Sequence, residues 1–116
     1  MPITQGFSGT QAVDTTEWSA PRDASYSSAS PQTSAGIYQV FLDLSGMASG
    51  DELRIRIYEK VTSSSTQRIV WESYLVGVQT EGTWVSPSLV LMHGWDVTLT
   101  ALVGTITVDW SIRKVA

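Results

Sequence analysis

The feature that most constrains the fold of this chain is a change of amino-acid composition at Gly36. Before it, Ser, Thr, Gly, Ala and Pro dominate, whereas after it almost every residue fits a β-strand or a tight turn. A segment this polar cannot bury enough apolar surface to form a core of its own. The sequence therefore predicts an extended N-terminal arm over residues 1–35 and a β-domain over residues 36–116.

Length and composition limit how this domain can be stabilised. The chain has 116 residues and no Cys, which excludes disulfides and thiolate metal sites. If the arm stays outside the core, the remaining residues are few for an independently stable fold. Association with further copies of the chain or with a larger partner is then the remaining source of stability.

Charge and hydropathy exclude two classes of partner. The net charge is −4, and the basic residues are dispersed as Arg22, Arg54, Arg56, Lys60, Arg68, Arg113 and Lys114. Because these residues form no basic stripe, nucleic-acid binding is not expected. The longest apolar run, residues 89–92, is far shorter than the roughly 20 residues of a membrane-spanning helix. The first residues carry no signal-peptide pattern, so the protein is expected to be soluble, made in a cytoplasm and without a membrane partner.

Hydrophobic periodicity after Gly36 is that of β-strands. In the clearest case Leu53, Ile55 and Ile57 share one face and alternate with polar or amphipathic residues. Residues 67–78 are apolar on both faces, which predicts that both faces are covered. Before Gly36, the pattern indicates only a short strand at residues 11–18 and then a loop.

The spacing of turns completes the fold prediction. Val103, Gly104 and Thr105 are expected to close a tight hairpin. The sequence shows neither a long segment of 3.6-residue period nor an internal repeat. We therefore predict an all-β fold, an antiparallel β-sandwich of jelly-roll or Greek-key type that carries the extended arm at its N terminus.

Candidates for catalysis or metal binding are sparse. His93 is the sole histidine and has no local constellation of further ligands, so it is interpreted as a polar turn residue. Oxygen ligands for Ca²⁺ could come from the turn that holds Asp43, Ser45, Asp51 and Glu52, but their spacing does not match an EF-hand. No catalytic residue, metal site or cofactor is assigned, and the protein is expected not to be an enzyme.

The aromatic residues suggest binding. There are five tryptophans, Trp18, Trp71, Trp84, Trp95 and Trp110. The strand pattern places the second, fourth and fifth of these in the core, and it leaves the other two as exposed candidates. Exposed tryptophans anchor protein interfaces, and on a β-sandwich they can also stack on sugar rings.

Five blocks of sequence in the β-domain carry a resemblance to a known family. They are residues 36–40 (GIYQV), 44–51 (LSGMASGD), 56–61 (RIYEKV), 93–99 (HGWDVTL) and 110–113 (WSIR). Together they resemble small virion proteins of tailed bacteriophages, especially capsid decoration (cement) proteins. The resemblance covers the β-domain and leaves the arm largely unmatched.

The resemblance implies a function in the virion. It implies a β-sandwich that clusters, often as a homotrimer, on the outside of the phage head and clamps neighbouring capsomers. The partners would be the major capsid protein and the chain itself, and the protein would be made in the host bacterial cytoplasm. The alternative is a tail, baseplate or fibre component whose sandwich serves assembly or binds host glycans.

Two sets of residues are candidates for these contacts. An extended arm can add a strand to a neighbour, and its predicted partner-binding anchors are Phe7, Val13, Trp18 and Tyr26. Packing of these four residues back onto their own sandwich remains an open alternative. The predicted oligomer-interface residues are Val70, Tyr74, Val76 and Trp84.

Overall fold

The computed structural model describes residues 4–27 and 32–115, and these residues form two antiparallel β-sheets. No helix in this described part is long and apolar enough to span a membrane. The strands are β1 (Thr4–Val13), β2 (Trp18–Ser19), β3 (Ala24–Ser25), β4 (Gly36–Asp43), β5 (Glu52–Glu59), β6 (Arg68–Val76), β7 (Thr83–Val85), β8 (Leu89–Leu91), β9 (Asp96–Val103) and β10 (Ile106–Lys114).

The order of the strands is that of a jelly roll. Sheet A runs β1-β10-β4-β7, with β8 also paired to β4, and sheet B runs β3-β2-β9-β5-β6. Early strands therefore pair with late ones: β1 with β10, β2 with β9, β4 with β7, and β5 with β6. This nesting folds one long antiparallel ribbon into two layers. The predicted all-β sandwich is confirmed.

The core lies between the sheets and follows the alternation in the sequence. Leu53, Ile55 and Ile57 of β5 are completely buried, and so are the apolar residues Ile106, Val108 and Ile112 of β10. Their polar neighbours along each strand point to the opposite face, because successive side chains of a strand alternate between faces.

The N-terminal segment is part of the sandwich, which corrects the predicted arm. β1 pairs with β10 along its whole length, from Thr4 opposite Lys114 to Val13 opposite Ile106. Backbone hydrogen bonds hold a strand of small polar residues as well as an apolar one, so composition alone misassigned this segment. The prediction of an arm outside the core is wrong for residues 4–27, and residues 1–3 and 28–31 lie outside the described part.

The turn at Gly104 is also different from the prediction. β9 belongs to sheet B and β10 to sheet A, so residues 103–105 carry the chain from one sheet to the other and do not close a hairpin. Gly104 adopts a φ of 86°, which glycine reaches without steric cost. Ile106 then pairs with Val13 of β1.

Candidate functional site

An exposed apolar surface runs along one side of the sandwich. It is formed by β6 and by the chain that leads from β6 to β7, and we call it the edge surface. Its apolar members, each at least one-third exposed, are Ile69, Val70, Trp71, Tyr74, Val76, Val78 and Val85.

Strand β6 is exposed because it ends sheet B. It pairs with β5 on one side, and no described strand pairs with its other side. A register shift between Ile57 and Tyr58 places Val70 as an extra residue in β6. An unpaired edge of this length presents backbone N–H and C=O groups together with side chains of both faces.

The exposure of the edge surface is large for apolar residues. Val76 is 68% exposed, Val78 66%, Tyr74 55% and Val70 49%. Single exposed apolar side chains are ordinary, but a contiguous row of them marks a surface that another molecule covers.

The edge surface continues from one sheet to the other through a short connection. Gly77 and Gly82 both have a φ of 75°, which lets the chain turn sharply at each end of this connection. The N–H of Gly77 donates to the carbonyl of Asp51 at 2.8 Å, and the N–H of Leu44 donates to the carbonyl of Gly82 at 2.5 Å. These bonds hold the connection, with Val78 in it, against the body of the sandwich.

One ion pair of the described residues lies beside the edge surface. The Arg56 guanidinium of β5 donates to the Glu72 carboxylate of β6, and both side chains are about three-quarters buried. Arg54, the next outward residue of β5, lies directly opposite Tyr74. An apolar centre with charged residues at its border has the composition of a protein interface.

Three of the four residues predicted for an oligomer interface lie in the edge surface. Val70, Tyr74 and Val76 are all on β6 and exposed. Trp84 of β7 lies opposite Leu42 and is half-buried against the core, so its side chain belongs mainly to the packing of its own sandwich.

The four predicted arm anchors all contact the sandwich of their own chain. Val13 is completely buried in the core. Phe7 meets Trp95 edge to face at 6.0 Å between ring centroids, and Trp18 meets Trp110 at 5.5 Å. The fourth anchor, Tyr26, stacks on a tyrosine of β5. The structure therefore supports the alternative in which these residues pack on their own sandwich, and it corrects their assignment as partner anchors.

Sequence reasoning missed part of the edge surface. Trp71 was expected in the core, and it is 38% exposed, because the inner face of an edge strand lies at the rim of the sandwich. Trp18 was expected to be exposed, and it is 6% exposed. The signal that locates the surface is the segment of residues 67–78, which is apolar on both faces and which is mostly exposed over Arg68–Val76.

The residues considered for catalysis or calcium binding form hydrogen bonds that hold turns of the chain. Hydrogen bonds from the side chain and the backbone of Ser45 hold the pKa of Asp43 below its usual range. The Asp51 Oδ2 accepts from the N–H of Ala48 at 2.8 Å, and the N–H of His93 donates to Glu59 Oε1 at 3.2 Å. Within residues 4–27 and 32–115, no group of three or more His, Cys, Asp or Glu side chains is arranged to hold a metal ion.

Comparison with known proteins leaves the fold assignment resting on the strand order. No protein-family model matches the sequence, and no curated protein matches it. Among solved structures, the chain is similar to an Eiger TNF from S. frugiperda, with a TM-score of 0.44 and 14% identity over 97% of this chain and 88% of that chain.

Proposed function

We propose that this protein is a non-enzymatic decoration protein of a tailed-bacteriophage capsid. In this proposal it associates with itself, binds the major capsid protein on the outside of the head and stabilises the contacts between capsomers. The observation that carries the proposal is the edge surface, because exposed apolar side chains on an edge strand with one unpaired side favour a partner surface. The resemblance of residues 36–115 to cement proteins supplies the identity of that partner.

The edge surface allows two kinds of self-association. The edge surface lies on one side of the sandwich, so two copies can bury it against each other, or each copy can bury it on another face of its neighbour. The second arrangement forms a ring when the rotation between copies closes, and the homotrimer implied by the resemblance is such a ring. A ring then presents several identical contacts to the capsid, and avidity compensates for weak single contacts.

The integration of the N-terminal segment changes how attachment is expected to work. Because residues 4–27 are fixed in the sandwich, they do not reach across a capsomer seam as an arm. The folded body therefore supplies the contact surfaces, both between copies and with the capsid.

A reconstruction of the virion that carries this protein tests the proposal directly. We expect density of the sandwich on the outer surface of the head, at symmetry-related positions between capsomers. Density on the tail or baseplate alone would overturn decoration and favour the tail or fibre alternative, for which a glycan-binding screen is the next measurement.

Binding to purified heads tests the edge surface as part of the same function. The variant Tyr74→Lys/Val76→Lys places two charges in the centre of the surface, and we expect at least a tenfold loss of co-sedimentation with undecorated heads. Val61→Lys is the matched control, since Val61 is 83% exposed and lies outside the edge surface. Equal binding of the two variants would exclude the edge surface from attachment.

A further inference from the structure

The central strand of sheet B is buried on both faces, although its sequence alternates. Val97, Leu99 and Ala101 of β9 face the core and are no more than 1% exposed. Asp96, Thr98 and Thr100 point to the outer face of the sheet, yet they are 0%, 1% and 4% exposed. Polar side chains on the outer face of a two-layer sandwich normally reach water, so another part of the chain covers them.

The hairpin formed by residues 17–27, which we call the β2–β3 hairpin, lies beside β9 in sheet B, and its side chains cover Asp96 and Thr98. The N–H of Tyr26 closes it by donating to the carbonyl of Glu17 at 2.8 Å. The Glu17 Oε2 accepts hydrogen bonds from Tyr58 Oη at 2.5 Å and from Thr98 Oγ1 at 2.7 Å. The Tyr26 ring stacks on the Tyr58 ring, with 4.7 Å between centroids and 16° between planes.

A buried carboxyl group lies under this hairpin. The Asp96 Oδ1 accepts from Ser19 Oγ at 2.6 Å and from the N–H of Val97 at 2.8 Å. Its Oδ2 is buried and has no hydrogen-bond partner among the described residues. The charged or titratable groups that face it are Glu17, Arg22 and Tyr26 of the hairpin and Tyr58 of β5, which lies opposite Asp96 in the ladder.

Ionisation of the buried Asp96 carboxyl group is energetically unfavourable. Burial raises the pKa of Asp96 to about 6, the hydrogen bonds from Ser19 and Val97 and the charge of Arg22 oppose this rise, and Glu17 adds to it. Burial and the bond to Glu17 raise the pKa of Tyr58 to about 12, so the tyrosine keeps the proton that it donates. Asp96 is thus a group under the hairpin whose charge changes near neutral pH.

We propose that the β2–β3 hairpin is a pH-dependent clasp, with its side chains closed over Asp96 and Thr98 when Asp96 is protonated and loosened when Asp96 is ionised. Opening lets water reach the Asp96 carboxylate and relieves its repulsion with Glu17. Trp18 remains anchored, because its ring is 6% exposed and packs on Trp110 in the core. The part that moves is the second half of the hairpin, with β3 and Tyr26, and its movement uncovers Thr98 and Tyr58.

Hydrogen exchange of the full-length chain tests the clasp. Protection factors, corrected for the intrinsic pH dependence of exchange, are compared at pH 5 and pH 8 for a peptide that spans residues 17–27 and for peptides of β10. We expect the hairpin to lose about tenfold or more of its protection at pH 8 relative to β10. Equal changes in the two regions would overturn the proposal.

Two further variants separate a titrating group from a merely structural one. Glu17→Gln removes a charge that favours protonation of Asp96, and we expect the midpoint of the transition to move to lower pH. Ser19→Ala removes a hydrogen bond that stabilises the carboxylate, so the midpoint should move to higher pH. Asp109→Asn, which removes an exposed carboxylate of sheet A, is the control and should leave the midpoint unchanged. Shifts in the same direction, or a shift in the control alone, would overturn the assignment to Asp96.

Discussion

The N-terminal segment and the edge surface each show a degree of burial opposite to the one that their composition suggests. The N-terminal segment is rich in small polar residues, yet Val13 and Trp18 are buried and β1 is paired along its whole length. The edge surface on β6 and β7 is rich in valines and aromatics, yet Tyr74 and Val76 are more than half exposed. Both β1 and β6 end a sheet and pair on one side only, so composition does not decide which segment is integrated, and exposed apolar residues on an edge strand mark a candidate surface for a partner.

Deletion of residues 2–35 gives the largest effect expected from this comparison. It removes β1, which ends sheet A, and the β2–β3 hairpin, whose side chains cover Asp96 and Thr98 of β9. We expect loss of the cooperative thermal transition, followed by circular dichroism and compared with the full-length chain. A truncated chain that still melts cooperatively with a β-sheet spectrum would restore the idea of a separable arm.

Two tryptophan truncations compare the regions at one residue each. Trp18→Ala opens a cavity beside Trp110 and should lower the free energy of unfolding by about 3–5 kcal/mol. Trp71→Ala removes a side chain that is 38% exposed on β6, and the loss should be about 1 kcal/mol or less. Urea denaturation measures both values, and the comparison fails if the two losses are equal.

The buried Asp96 makes the stability of the N-terminal side depend on pH. The folded state holds this proton more tightly than an unfolded chain, in which the Asp pKa is about 3.8, so stability falls as pH rises from about 4 to about 6. The expected loss is roughly 2–3 kcal/mol, at about 1.4 kcal/mol per pKa unit. Asp96→Asn should flatten this part of the profile, whereas Asp109→Asn should keep it. A wild-type stability that is constant from pH 4 to pH 7 would contradict this account.

The smallest effect is expected for the ion pair beside the edge surface. Arg56 and Glu72 are paired but partly exposed, so their coupling should be about 0.3–1 kcal/mol. A double-mutant cycle with Arg56→Met and Glu72→Gln measures it in the monomeric protein at low concentration. A coupling of several kcal/mol would show that β6 is held as firmly as the N-terminal strands.

The sequence predicted the layers of the sandwich better than it predicted their borders. The alternation of Leu53, Ile55 and Ile57 identified an inner face, since a period of two is a direct consequence of strand geometry. The strand at β1 was shortened and shifted, because Gly6 and Gly9 have low strand propensity and their pairing with β10 is a non-local contact. The strands before and after Gly104, β9 and β10, were predicted to pair in one hairpin because their actual pairing is also non-local.

The candidate site was predicted in part. The segment of residues 67–78 was recognised as apolar on both faces, and Val70, Tyr74 and Val76 were named from it. The position of β6 at the end of sheet B depends on which strands pair, which periodicity does not specify. The burial of Asp96 was missed because its cover is the β2–β3 hairpin, in a segment that reads as a loop.

Sedimentation velocity over a range of concentrations tests the central claim, that the edge surface is where copies of this chain assemble. We expect the wild-type protein to form a defined oligomer with rising concentration, Tyr74→Lys/Val76→Lys to remain monomeric, and Val61→Lys to behave as the wild type. A monomeric wild-type protein at all concentrations, or an oligomer that the edge variant leaves intact, would contradict the account.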